Sequence, residues 1–158
     1  MGDTRWKTAV TVAAIVERDG RFLVVEEHTP DGLRLNNPAG HLDPGETPLA
    51  GVIRETLEET ARPFTPRALL GVYLSRARGP SGDVTFVRLA FAGEVGEPQP
   101  GRALDPEIVR TLWLTPDELR EQAARHRSPL LLRCIEDHRS GRRYPLDVVF
   151  SDPSVDAP

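Results

Sequence analysis

The segment from Thr47 to Pro63 constrains this chain more than any other. Thr47 is a good helix cap, and Pro48 suits the first helical position. Pro63 disfavours helical geometry at Arg62, so the helix must stop before it. On a wheel at about 100° per residue, Leu49, Val52, Ile53, Thr56, Leu57 and Thr60 share one side. Glu55, Glu58 and Glu59 share the opposite side, spaced i, i+3 and i+4. Gly51 falls within the acidic face and leaves a gap there. Three acids on a helix usually mean a solvated face. Here like charges repel, no lysine lies on the helix, and Arg54 is the only cation before Arg62. Clustered carboxylates short of counter-charge are what a hard, oxygen-seeking cation such as Mg²⁺ requires.

Around this helix the pattern alternates. Residues 9–16 and 21–27 are rich in β-branched side chains and flank Asp19-Gly20, a hairpin signal. Residues 33–36 read as a short strand, and Asn37-Pro38-Ala39-Gly40 as a break. Strands are expected over 67–76 and 84–94, a loop over 93–106, and a strand over 109–114. Thr115 caps a helix from Pro116 to about residue 125, with Glu118 completing a capping box. Ser128 caps another from Pro129 to about residue 139, ended by Ser140-Gly141. The fold class expected is α/β (α+β), a single-domain αβα sandwich with one mixed sheet covered by helices. Residues 1–150 form the domain, and residues 151–158 form a disordered tail.

The residue pattern from Gly40 to Arg62 carries the resemblance. Gly40 is followed at fixed intervals by Glu46, Arg54-Glu55 and Glu58-Glu59. This glycine-loop-helix signature resembles the Nudix box. Six fixed positions arise by chance about once in 10⁵ chains of this length. The resemblance implies an αβα sandwich and a metal-dependent hydrolase. It makes Glu55, Glu58 and Glu59 ligands of Mg²⁺ (or Mn²⁺), with the Gly40 carbonyl as a further ligand, and pairs Arg54 with Glu46. Ala61 stands where the family usually has glycine, Arg62 where it has an aliphatic residue, and Thr56 where it has a bulkier one. The family also draws a carboxylate from a later loop as base or ligand. Glu107 fits, six residues before Trp113, and Asp105 competes for the role. A solvated loop acid is the plainer account of Glu107.

Further stretches are similar to the NudJ phosphatase branch of that family. They include Phe22 to Glu27, Asn37 to Leu42, Arg127-Ser128-Pro129-Leu130 and Ser140 to Leu146. That branch implies phosphate release from nucleoside di- and triphosphates and from thiamine-type pyrimidine diphosphates. Arg142, Arg143 and Tyr144 are its candidate substrate residues, offering guanidinium forks and an aromatic edge. An ordinary basic helix exit would use the two arginines as well. His28 and His41 read as structural or surface residues. The implied mechanism is metal-assisted attack of water on phosphorus, with Glu107 or Glu55 accepting the proton. Two rivals remain: a pyrophosphatase for oxidised nucleotides or nucleoside diphosphate sugars, and a catalytically silent Nudix-fold binding module.

Composition excludes other classes. The net charge of −4 argues against a nucleic-acid partner. No run approaches a membrane span, and the N-terminus shows no signal peptide, so the expected setting is the cytoplasm. The single cysteine, Cys134, makes no intrachain disulfide and reads as a buried apolar residue. The expected partners are small phosphorylated molecules, acting on a monomer or small homo-oligomer.

Overall fold

The computed structural model describes Trp6 and residues 8–157. The expectations for the first residues and for Pro158 lie outside the described residues. The strands are β1 (Ala9–Ile15), β2 (Glu17–Arg18), β3 (Arg21–Thr29), β4 (Gly32–Asn36) and β5 (Ala39–His41), followed by helix α1 (Pro48–Thr60). The chain continues through β6 (Phe64–Gly79), β7 (Gly82–Val95), β8 (Ile108–Leu114), α2 (Pro116–Glu121) and α3 (Leu130–Arg139).

The strands divide into two four-stranded sheets. The first has the order β5-β1-β7-β6 and is mixed, because β1 and β7 run parallel. The second is antiparallel, with β3 paired to β2, β4 and β8. The sequence showed the strands but not this division, since partner choice depends on long-range register rather than local pattern. Two apolar cores lie on opposite faces of the first sheet. One unites Ala13, Tyr73 and Ala90 with Leu131, Cys134 and Ile135 of α3. The other unites Val12, Leu69 and Phe91 with Val52 of α1. Cys134 is fully buried, as expected.

Element boundaries differ where local signals mislead. The break expected over 37–40 gives way at Ala39 to β5, which pairs antiparallel with β1. β6 and β7 extend into a hairpin closed by Gly79 and Gly82. Pro66 is accepted in β6 at a register shift on that edge strand. α2 has its Thr115–Glu118 capping box but ends at Glu121, and a separate 3-10 turn takes Ala123–Arg125. α3 starts one residue later than expected, with the Ser128 hydroxyl accepting from Leu130 N at 3.2 Å. In the tail, Pro153–Val155 form a 3-10 turn that the Asp152 carboxylate caps. No helix among the described residues is long and apolar enough to cross a membrane.

The two unusual residues after α1 have local explanations. Ala61 occupies the left-handed region at φ 58°, and its N–H donates to Leu57 O at 2.9 Å. Arg62 donates to Gly96 O at 2.9 Å and stacks on Trp113, with Arg18 stacking on the same ring. The Ala61 conformation is one that glycine adopts without strain. Ala61→Gly should therefore stabilise the fold by about 0.5–1 kcal/mol. Urea denaturation checks this; an unchanged or lower midpoint would show that the alanine is unstrained.

Candidate active site

Helix α1 is built to hold its acids in place. Thr47 Oγ1 accepts from Ala50 N at 3.2 Å, capping the first turn. Val52, Thr56 and Thr60 seat the helix on the first sheet, and both threonine hydroxyls donate back to carbonyls one turn earlier. The acidic face is not solvated. Glu55 is only 9% exposed and Glu59 6%, while Ile53, expected to face the core, is 38% exposed. The helix is rolled so that its acids tuck against β5. The gap at Gly51 is filled from within the protein: a Cβ there would meet Leu42 at 2.8 Å and Glu46 at 3.0 Å.

Arg54 ties the loop to the helix. It donates to both Glu46 oxygens, at 2.9 and 2.7 Å, in a bidentate pair. Its remaining donors reach Glu55 Oε1 at 2.9 Å, Glu58 Oε2 at 3.1 Å and the His41 carbonyl at 3.1 Å. Asp43 lies 3.3 Å away. These partners, Glu46 foremost, raise the guanidinium pKa above its ordinary value. Glu46 is correspondingly held below the usual carboxylate range by Arg54. A hydrogen-bonded residue touching two candidate ligands fixes their orientation.

Three carboxylates converge. Glu55, Glu58 and Asp105 offer oxygens that all lie within 4.8 Å of one another. Glu59 stands outside this group. Its Oε2 accepts from Ala39 N at 3.3 Å. Burial pushes its pKa up to about 9, and the charges of Glu27, Glu55 and Asp105 push the same way. Glu55 is also raised, chiefly by burial, with Glu58 and Asp105 adding to it against the pull of Arg54.

Asp105 and Glu107 are sharply distinguished. Asp105 N donates to Glu58 O at 3.0 Å, one of the carbonyls left free at the end of α1. Its own carbonyl accepts from Ile108 N at 2.9 Å, so the loop presents Asp105 at a fixed place. Glu107 is exposed, its carbonyl accepts from His28 N, and its carboxylate is not in the converging group.

Gly40 is where the acids meet open space. A Cβ on Gly40 would lie 2.2 Å from the Glu55 carboxyl carbon, so only glycine lets the carboxylate sit against the backbone. The same residue lines a cavity of about 410 Å³ on the other side. Phe86 and His41 form one apolar corner of it, with ring centroids 6.0 Å apart. Arg76, Arg88, Arg127 and Glu27 supply charge. Arg127 pairs with Glu27 at 3.3 Å. Burial raises the Glu27 pKa.

Arg142, Arg143 and Tyr144 are not brought to this place. Tyr144 pairs through its backbone with Leu69 beyond β6, the edge opposite β5. At about 4.8 Å per strand step, that is roughly 19 Å across the sheet from Gly40. Arg142 instead donates to Asp137 at 3.3 Å, and Arg143 to the His138 carbonyl at 3.2 Å. Basic residues at a helix exit serve the helix end here. The sequence reading missed Arg88 and Phe86. The signal was present: Arg88 lies between apolar neighbours in β7, in phase with the inward Ala90.

Comparison with known proteins agrees with the fold and identifies the family. The NUDIX domain family matches residues 6–134. The chain is 35% identical to Phosphatase NudJ of Shigella flexneri over 144 residues, covering 91% of this chain and 92% of that protein. The fold is similar to a NUDIX hydrolase from Nitrosomonas europaea, with a TM-score of 0.86 and 45% identity, covering 92% of this chain and 98% of the other. It also resembles the NUDIX domain of Shewanella oneidensis NrtR complexed with ADP ribose, with a TM-score of 0.67 and 18% identity, covering 89% and 92% of the two chains. With Gly40, Glu46, Arg54, Glu55, Glu58 and Glu59 of the box all present and the fold to carry them, the chain belongs to the Nudix hydrolase family.

Proposed function

We propose that this protein is a Mg²⁺-dependent phosphatase releasing inorganic phosphate from nucleoside di- and triphosphates. Thiamine-type pyrimidine diphosphates are further candidate substrates, through the similarity to Phosphatase NudJ. One observation carries the reading: the Glu55 carboxylate and a cavity of small-molecule size meet at Gly40. A ligand seated in the cavity would bring its phosphates to the acids.

The donor set fits a divalent cation. Glu55, Glu58 and Asp105 are hard oxygen donors in one place, Glu59 stands close enough to feel the charges of Glu55 and Asp105, and the Gly40 carbonyl is a further candidate ligand through the family resemblance. Acids crowded in this way, one buried and two half-buried, repel each other unless a cation or protons relieve them. When bound, the cation supplies charge neutralisation of phosphate oxygens and a more acidic water. The protein's part is positional. Arg54 holds Glu46, Glu55 and Glu58 in fixed orientations. Asp105, held by its loop, is the carboxylate best placed to take the proton of the attacking water. Glu107 and Glu55 are the alternatives. Water adds to the terminal phosphorus, the anhydride P–O bond breaks with its electron pair going to the shortened nucleotide that departs, and the attacked phosphorus is released as inorganic phosphate. The buried thiol of Cys134 supports a reducing, cytoplasmic setting.

A substrate panel with Mg²⁺, scored separately for phosphate and pyrophosphate, tests this. Phosphate release is expected, with activity abolished by a chelator because the acids cannot neutralise a polyphosphate alone. Pyrophosphate as the product would favour a pyrophosphatase acting on oxidised nucleotides or nucleoside diphosphate sugars. Full turnover in chelated buffer would overturn metal dependence.

A further inference from the structure

The floor of the cavity holds an arginine with an unusual set of partners. Arg88 is 6% exposed. It donates to Asn37 Oδ1 at 2.8 Å and to Asn36 Oδ1 at 3.1 Å. Both acceptors are neutral amides. Among the described residues no carboxylate hydrogen-bonds Arg88, and Glu27 is engaged by Arg127. The Cys134 thiol beside it is a weak acceptor. A guanidinium has five N–H donors; the asparagines take two and the Cys134 thiol engages a third weakly. A buried charge is normally paired, and a buried donor normally satisfied. Arg88 lines the cavity, and its Nη1 and Nη2 groups each keep a second N–H beyond the one given to an asparagine, which an incoming ligand can use.

The walls narrow what that ligand is. Phe86, Ala39 and Leu130 are apolar and suit a ring. Thr11, Ser75 and Ser128 add hydroxyls that can donate, Arg76 and Arg127 add charged donors, and the one carboxylate among the lining residues, Glu27, is already paired with Arg127. Arg88 and Gly40 both line the cavity, so a nucleotide whose phosphate lies at Gly40 can turn the ring edge farthest from its sugar toward Arg88. On that edge uracil, thymine and guanine carry a carbonyl oxygen. Cytosine, adenine and the aminopyrimidine of thiamine carry an amino group, which would set donor against donor.

We propose that Arg88 makes this cavity selective for oxo-substituted bases, so that uridine, thymidine and guanosine phosphates are preferred over cytidine and adenosine phosphates. The proposal rests on reading the site as one for phosphorylated small molecules, and it ranks aminopyrimidine diphosphates below oxo-base nucleotides. Arg88 acts through recognition of the ring, not through the reacting phosphorus.

Calorimetric titration with nucleoside monophosphates tests this apart from turnover, since they carry the ring without an anhydride. The protein should bind UMP over CMP, and GMP over AMP, by at least about tenfold. A uridine monophosphate analogue with hydrogen in place of the 4-oxo group should bind about tenfold more weakly than UMP. Arg88→Met should bring UMP and CMP to within about twofold, by weakening UMP rather than tightening CMP to match. If Arg88→Met fails to fold, the analogue titration with the unaltered protein decides. Equal affinities for UMP and CMP, a preference for amino-bearing bases, an analogue that binds as well as UMP, or selectivity retained in a folded Arg88→Met variant would each overturn the proposal. Absence of metal-dependent turnover alongside this selectivity would remove the phosphatase reading and leave the base selectivity standing.

Discussion

Asp105→Asn should lower the turnover number by about 10² or more, whereas Glu107→Gln should leave it nearly unchanged. The two acids are two residues apart, and sequence alone favoured Glu107 for its distance from Trp113. The structure separates them by their backbone bonds. Asp105 is pinned to the end of α1 through Glu58 O, and its carboxylate joins Glu55 and Glu58 within 4.8 Å. Glu107 is exposed, its carbonyl pairs with His28, and its carboxylate is outside the converging group. Turnover measured across Mg²⁺ concentration then assigns the role. If Asp105 accepts the proton, its loss lowers the maximal rate and leaves the Mg²⁺ midpoint largely intact. If it binds the cation, the midpoint shifts to higher Mg²⁺ as well. Wild-type rates in Asp105→Asn together with a damaged Glu107→Gln would return the role to Glu107. Wild-type rates in both would leave Glu55 as the candidate base. Circular dichroism of each variant separates loss of chemistry from loss of fold.

The reason one acid was chosen over its neighbour in the sequence is general to this chain. Features set within a few residues were legible. The Thr47 cap, the Thr115–Glu118 box and the grouping of Glu55, Glu58 and Glu59 on one helix follow from local spacing, and all are present. The pairing of Arg54 with Glu46 followed from the family resemblance, and it too is present. Features set by how elements dock were not legible. The wheel put the acids opposite the core, but α1 lies beside an edge strand, so its second face is also covered. That is why Glu59 is buried and its pKa raised, and why it bonds Ala39 rather than joining the converging carboxylates. Arg142, Arg143 and Tyr144 had the right chemistry for phosphate, but the first sheet stands between them and Gly40. Arg88 had no motif, only an arginine at an inward strand position. Its meaning required knowing that Asn36 and Asn37 come from a separate part of the chain to meet it.

Gly40→Ala should lower activity by about 10²-fold or more while costing the fold only about 1–2 kcal/mol. The added methyl would sit 2.2 Å from the Glu55 carboxyl carbon and 2.3 Å from each of its oxygens. Gly40 is not among the positive-φ glycines, so its backbone accepts alanine without strain. The contact is with the far end of a flexible side chain, and that end can swing away more cheaply than the strand can move. Moving it withdraws one of the three converging oxygens and breaks the 2.9 Å bond from Arg54. Chemistry is lost and structure is kept. Gly20→Ala makes the opposite case. Gly20 has φ 76° in the turn before β3, and nothing lies within 4 Å of a Cβ there. Alanine in that turn should cost about 1 kcal/mol of backbone strain and leave turnover as it is. Urea midpoints and Mg²⁺-dependent rates, measured on both variants, test the contrast. Gly40→Ala should also need more Mg²⁺ for half-maximal rate, because the displaced group is a candidate ligand. A Gly40→Ala protein with the native rate and the native Mg²⁺ requirement would show that the Glu55 carboxylate is not needed where it now lies, and the site would have to be assigned to Glu58, Glu59 and Asp105 without it.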